Sequence, residues 1–425
     1  MRNRFLACLC LFIIIASSAM ATKITLWTWY DGTFGAIFKQ LVKEDFVAKT
    51  GIEVEILSVP IPDMVNKLIL SYLGGTAPDV VELYTNQVVE LGVRGALMNL
   101  REFKDYTNVT DGLYPNYLKQ LMYGNSTFAL PCEISWPWMY VRQDLFNDMG
   151  LAIPQTWDEF KMVSSKLKAR NLGTYYDHTG DAGTLTASKY LALVYQRGTD
   201  IYTPDGKGSN LASPECIAAF KDFCSLYKDH GLLVEDPIIT TFASGQTPIS
   251  VMQAWYYYVF ENTAPQITGK WTVAEIPGTK QKDGTINHSS NSNGLAWSVV
   301  RSTKNPDAAW QFMKWLSSPA FTEKFSRTLY ESTDKARIYF ATKGFLDKAS
   351  FPDDHRKIAQ RALQACSAPT AIVGGYVADR YIDFAFTKVY LQNADPEASI
   401  RQAAKDSNDE IQRKLKEFAR FINKL

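Results

Sequence analysis

Residues 23–59, KITLWTWYDGTFGAIFKQLVKEDFVAKTGIEVEILSV, decide the fold class. KITLWTW at 23–29 is rich in β-formers, and Phe34, Ile37, Phe38, Leu41, Val42 and Phe46 then recur at helical spacing. Gly51 stops the helix, and IEVEILSV at 52–59 reads as a second strand. Strand, helix and strand in succession make a βαβ unit, and such a unit builds a parallel sheet, so the chain is α/β. Farther on, a helix around Met64 to Leu73 ends in Gly74-Gly75, and the apolar run within TAPDVVEL at 76–83 gives a third strand.

Upstream of this unit lies MRNRFLACLCLFIIIASSAMA, residues 1–21. Arg2 and Arg4 supply a charged start, Phe5 to Ile15 an apolar run too short to span a bilayer, and Ala19-Met20-Ala21 the small residues a signal peptidase needs. Cleavage near Ala21 and a periplasmic location are expected. An uncleaved anchor helix would need a longer apolar run and would not end in A-x-A; a lipoprotein would carry its cysteine at the end of the run, not at Cys8.

Removing that segment leaves 404 of 425 residues, more than one hydrophobic core usually holds, so two lobes are expected. The formal net charge of +1 becomes −1 once Arg2 and Arg4 are gone, and no basic stripe is present, which argues against a nucleic-acid partner. No second apolar stretch approaches membrane length. Ten Trp and 22 Tyr are more than core filling usually recruits, and flat rings with polar edges suit a sugar. Of the cysteines remaining, Cys216 and Cys224 sit eight apart in one expected helix, about 12 Å along its axis and beyond disulfide reach. Any bridge must use Cys132 or Cys366; buried free thiols are the other possibility.

Several helices announce their starts. Thr156 with Glu159 is a capping box, and Ser213-Pro214, Asn305-Pro306, Ser318-Pro319 and Asp395-Pro396 each set a capping side chain before a proline. Ile400, Ala404, Ile411, Leu415, Phe418 and Ile422 give the last helix an apolar stripe. Residues 203–210 and 277–288 are turn-rich loops.

Five segments, in order, resemble a known family. They are LGGTAPDVVEL at 73–83, GNSTFALPCEISWPWMYVRQDLFNDMGLAIPQTWDEF at 124–160 with its two successive motifs, FASGQTPISVMQAW at 242–255, and NPDAAWQFMKWLSSP at 305–319. They are similar to the extracytoplasmic solute-binding proteins of ABC importers (family 1), in the sugar-binding group that includes maltose-binding protein. The resemblance implies a two-lobe periplasmic-binding-protein fold with a hinge and an interlobe ligand cleft. It divides the chain into an N-terminal lobe of 22–133 plus 296–333 and a C-terminal lobe of 136–293 plus 337–425, with hinge segments near 134–136, 293–296 and 332–336. Cys132, Glu133, Pro137 and Trp255-Tyr256-Tyr257-Tyr258 are not constants of the family, so the ligand's identity does not carry over.

In open α/β sheets ligands sit beyond the carboxyl ends of strands. After the first strand come Trp29, a stacking face, and Asp31, a hydroxyl acceptor, although Trp29 could equally be core and Asp31 a helix cap. After the third strand come Tyr84 and Asn86, where capping competes for Asn86. Trp255 follows the apolar run PISVM, opens an aromatic cluster and falls on the family's cleft tryptophan; one of the following tyrosines, here Tyr257, is expected to join it. At the hinges stand Glu133, Trp136, Asn291 and Asn293, the asparagines being equally readable as a polar turn. Asp181, near Asp177 and His178, and Arg380 complete the candidates.

The resemblance implies a sugar or oligosaccharide as small-molecule ligand, and as partners the transmembrane subunits of an ABC permease with a cytoplasmic ATPase. The chain is expected to act as a monomer, without cofactor or metal, and as a binder rather than an enzyme. His178, His230, His288 and His355 are scattered, and no HExxH, GxSxG, P-loop or GxGxxG occurs. Two alternatives remain: an exported carbohydrate-active enzyme built on paired carboxylates, or a binding protein for a non-sugar solute such as a polyol, phosphate ester or amine.

Overall fold

The computed structural model describes residues 22–176, 185–291, 293–332, 335–367, 370–423 and 425. Strands β1 (Lys23–Thr28) and β2 (Glu53–Ser58) pair in parallel, as the opening segment dictates, with Gly51 in the left-handed conformation ending the intervening helical stretch. The third strand is β3 (Val80–Tyr84), parallel to β1 on its other side. β4 (Leu130–Ser135) leads after one residue into β5 (Pro137–Val141), and then come β6 (Thr174–Tyr176), β7 (Ile249–Gln253), β8 (Thr272–Ala274) and β9 (Asn293–Val299).

These nine strands make two sheets, ordered β2-β1-β3-β9-β4 and β8-β5-β7-β6. In the first, β9 runs antiparallel to both neighbours, so β1, β3 and β4 all point the same way and their carboxyl ends share one edge. The chain passes between sheets at Trp136, whose carbonyl accepts the Ala254 N–H at 2.8 Å. That bond, with Pro137 opposite Gln253, brings the carboxyl end of β7 to the crossing. Both sheets therefore turn strand ends toward the same junction.

The two cores meet through β5. Trp138 and Tyr140 belong to the apolar cluster that contains the first sheet, while Met139 and Val141 belong to the second, the two-residue period of a strand buried on both faces. The outer edge of β4 is covered by residues 339–341, with Ile134 N–H bonded to Tyr339 O at 2.8 Å and Ala341 N–H to Cys132 O at 2.9 Å. The chain thus stays with the first sheet past residue 336, later than expected. Helix Phe345–Lys348 still packs on helix Pro319–Glu331, and helix Asp353–Ala365 then reaches β8.

The last helix, Pro396–Ile422, buries Ile400, Ala403, Ala404 and Ile411 in the second core and Phe418 in the first. Lys414 and Arg94 hold their charges over the Phe418 ring at 5.1 and 5.4 Å from its centroid, a favourable cation–π geometry. The capping box at Thr156 and Glu159 forms, and Ser213, Ser318 and Asp395 each accept a bond from the third residue of their helices. Asn305 instead reaches the Lys23 carbonyl. Cys132, Cys216, Cys224 and Cys366 are all free and buried. Among the described residues no helix is long and apolar enough to cross a membrane.

Candidate functional site

Trp29 leaves the end of β1 and is fastened at both of its nitrogens. Its backbone N–H donates to Glu82 Oε2 at 3.2 Å and its indole N–H to Glu133 Oε1 at 3.0 Å. The ring leans on Tyr30 and Phe34, with centroids 5.0 and 5.2 Å apart, and stays half-buried. Two bonds and two ring contacts fix the indole before any solute arrives.

Behind it lies an acidic pair. Glu82 sits in the middle of β3 with no exposed surface, and its Oε2 also takes the Thr28 hydroxyl at 2.5 Å; the Cys132 thiol points at Oε1 from 3.7 Å. Glu133, on β4, is half-buried. Burial, followed by the Glu133 charge, pushes the Glu82 carboxyl well above the usual range. Burial likewise pushes Glu133 up to about 7, against the opposing pull of Tyr30, Trp29 and Glu82. The Tyr30 phenol is raised well above its ordinary value, by burial first and then by both glutamates.

The second lobe contributes Trp255, directly beyond β7. Ala254 is pinned there by Trp136, and its carbonyl accepts the Tyr140 hydroxyl at 3.2 Å. Trp255 is 40% exposed and stacks on Tyr256 with centroids 3.9 Å apart, so one ring face is supported and the other is open. At the junction, Ser135 Oγ and Gln253 Oε1 are buried without a hydrogen-bond partner, as is Nε1 of the fully enclosed Trp136.

Of the remaining expected contacts, Asp31 and Asn86 are exposed, and Tyr84 is half-buried. Asp31 makes no capping bond, so its carboxylate stays available at the strand end. Asn293 opens β9 opposite Ser135, and its side chain lies outside the described residues; Asn291 is buried in a short strand paired with Cys366–Ser367. Arg380 is exposed at the start of helix Arg380–Gln392. Asp181, with Asp177 and His178, lies outside the described residues.

Two expectations need correction. Tyr257 is core: it bonds His355 Nδ1 at 2.8 Å and packs edge-on against Trp138, Trp271 and Phe351. Its neighbour Tyr258 is the one near the pair, since the Glu133 charge adds to the burial that raises its phenol. Trp136 is also enclosed, its ring held by Trp138 and Tyr339. Glu82 carries a single signal in the sequence, a charge inside an otherwise apolar strand, and the strand-end rule does not reach it. Among the described residues no cluster of three or more His, Cys, Asp or Glu could hold a metal ion.

The raised Glu133 carboxyl sets a pH dependence. The folded protein binds this proton more tightly than the unfolded chain, so the resulting stability is fully present below the ordinary value of 4.5 and is lost as pH rises through about 7. Asp379, enclosed beside Tyr202, is pushed up to about 7 by burial and acts in the same direction. Melting temperature should therefore fall from about pH 5 to about pH 8, and Glu133→Gln should flatten part of that fall in an Asp379→Asn background. An unchanged slope would show that Glu133 titrates normally.

Two α/β lobes joined at a crossing, with fixed polar and aromatic groups at the strand ends on both sides, define a protein that takes a small molecule between its lobes. Residues 31–323 match the bacterial extracellular solute-binding protein family, and the chain belongs to it. It is similar to the multiple sugar-binding protein of Streptococcus mutans, 22% identical over 319 residues, spanning 68% of this chain and 70% of that protein. Its fold matches the cyclic alpha-maltosyl-1,6-maltose binding protein of Arthrobacter globiformis with a TM-score of 0.78 at 18% identity, covering 93% of this chain and 100% of that one. An ABC transporter solute-binding protein from Thermotoga lettingae, bound with alpha-D-tagatose, matches at 0.73 and 22% identity, covering 92% and 100%. At such identities the structural likeness establishes the two-lobe fold and no more.

Proposed function

We propose that this chain is the substrate-binding component of an ABC importer, capturing a sugar or short oligosaccharide by hinge closure and passing it on unaltered. The carrying observation is the pair of prepared tryptophans flanking the crossing: Trp29 locked to Glu133 on one lobe and the half-open stack of Trp255 on Tyr256 on the other. Flat ring faces bordered by hydrogen-bond acceptors suit the apolar faces and hydroxyl rims of a pyranose or furanose. The names of the relatives point to the same cargo.

In this reading the contacts are Trp29, Asp31, Tyr84, Asn86 and Glu133 from the first lobe and Trp255 and Tyr258 from the second, with Asn291, Asn293 and Arg380 at the margins. The mature protein begins near Thr22, works outside the cytoplasm as a monomer, and docks on permease transmembrane subunits served by a cytoplasmic ATPase. Residues 22–133 and 296–333 form most of one lobe, and the first sheet also keeps 339–341.

A thermal-shift screen against sugars, polyols, phosphate esters and amines tests the cargo. A sugar at 100 times its dissociation constant should stabilise the fold by about 2.7 kcal/mol and be recovered intact. Stabilisation by amines or phosphate esters alone would replace the cargo, and turnover of a glycan would replace the class.

A further inference from the structure

We propose that Glu82, which is sealed from solvent, is a positioning residue of the solute site: as a neutral carboxylic acid it donates a hydrogen bond to the Glu133 carboxylate. Glu133 is thereby held as the acceptor for the Trp29 indole N–H and for a hydroxyl or ammonium donor on the solute. The inference deepens the solute-binding reading and rests on it for the role of Glu133 toward cargo.

The groups facing the pair come from four elements. β1 and the residues after it give Thr28, Trp29 and Tyr30; β3 gives Glu82; β4 gives Cys132 and Glu133; and helix Tyr256–Thr263 gives Tyr258. None is basic, and neither glutamate joins an ion pair among the described residues. Two carboxylates fastened to the same tryptophan, one sealed and one half-buried, with no cation beside them cannot both ionise readily, and sharing one proton is the low-cost solution.

The bonding decides which one keeps it. Glu82 has no exposed surface, and its Oε2 already accepts from Thr28 and from the Trp29 backbone, whereas Oε1 meets only the Cys132 thiol, a weak donor at 3.7 Å, so Oε1 is the oxygen to carry the hydrogen. Glu133 is half-buried and takes the indole N–H, a bond that favours its charged form. The result is a fixed order, with an acid behind, a carboxylate in front and an aromatic ring tied to that carboxylate.

Glutamine has the same shape as the neutral acid. In Glu82→Gln the amide oxygen can accept from Thr28 and Trp29 while the amide N–H donates to Glu133; Glu82→Leu fills the space and offers no donor.

The test uses the mature protein labelled with 15N-tryptophan, with the Trp29 indole resonance assigned by Trp29→Phe. In Glu82→Gln the resonance should keep its wild-type position and slow exchange with water. In Glu82→Leu it should move and exchange at least about tenfold faster, as expected when a hydrogen bond to a charged group is loosened. An unmoved resonance in Glu82→Leu overturns the proposal. So does a displacement in Glu82→Gln as large as that in Glu82→Leu, because Glu82 would then act as an anion. Should Glu82→Leu fail to fold, Glu82→Gln decides alone: a wild-type resonance position and exchange rate support the proposal, and a displaced resonance that exchanges at least about tenfold faster overturns it. The signal is read without solute, so failure of the sugar screen would remove the cargo and leave this result standing.

Discussion

Trp255→Ala should weaken binding of the captured solute by about 1 to 3 kcal/mol, roughly 5- to 150-fold, while leaving the melting temperature of the free protein nearly unchanged. The two halves of that expectation have separate causes. Trp255 is 40% exposed and lies outside both apolar cores, so removing it leaves no cavity to destabilise the fold. Its backbone is placed by others, through Ala254, Trp136 and Tyr140, and these remain in the variant. What is lost is one flat face, already ordered by stacking on Tyr256 and so offered at little entropic cost. Titration calorimetry with the stabilising sugar reads the affinity. Normal binding by Trp255→Ala would make the ring peripheral and remove the second lobe's main contact.

Gly294→Ala should destabilise the protein by about 1 to 3 kcal/mol or more and weaken solute binding as well. A Cβ on residue 294 would stand 2.1 Å from the Glu133 carbonyl oxygen, and the obstacle is backbone in a sheet, not the end of a flexible chain. β9 pairs Gly294 with Ile134 and shifts register between Gly294 and Ala296, so the clash falls where the ladder is already irregular. Relief requires β9 to part from β4, which displaces Glu133 and with it the Trp29 indole. Gly74→Ala is the control: its φ of −81° suits any residue, and the nearest atom to the new carbon is at 3.4 Å. Chemical denaturation of both variants checks the difference, and equal stability would mean that the junction yields easily.

Much of this architecture is written locally in the chain. The β1-helix-β2 unit, the capping box at Thr156 and the proline-led helix starts depend on residues within a few positions of one another, where periodicity and capping chemistry act. The site is legible only in part, because its decisive contacts are distant in sequence. The strand-end rule points to Trp29 and Asp31, but Glu82 and Glu133 lie on strands separated by β9, which enters the sheet from the far side of the chain. No local pattern announces that meeting. The tyrosine run failed for a similar reason: successive helical residues point about 100° apart, and which one faces the cleft is fixed by Trp138, Trp271 and Phe351, which claim Tyr257.

Under the proposed function a sugar is held between the strand ends of the two sheets and released unchanged. The crystal structure of the protein with the most stabilising sugar bound tests it most directly. The sugar should lie in one piece with a ring face on Trp255 and its hydroxyls toward Glu133 and Trp29. A sugar bound away from the crossing, or one cleaved within it, would contradict the account.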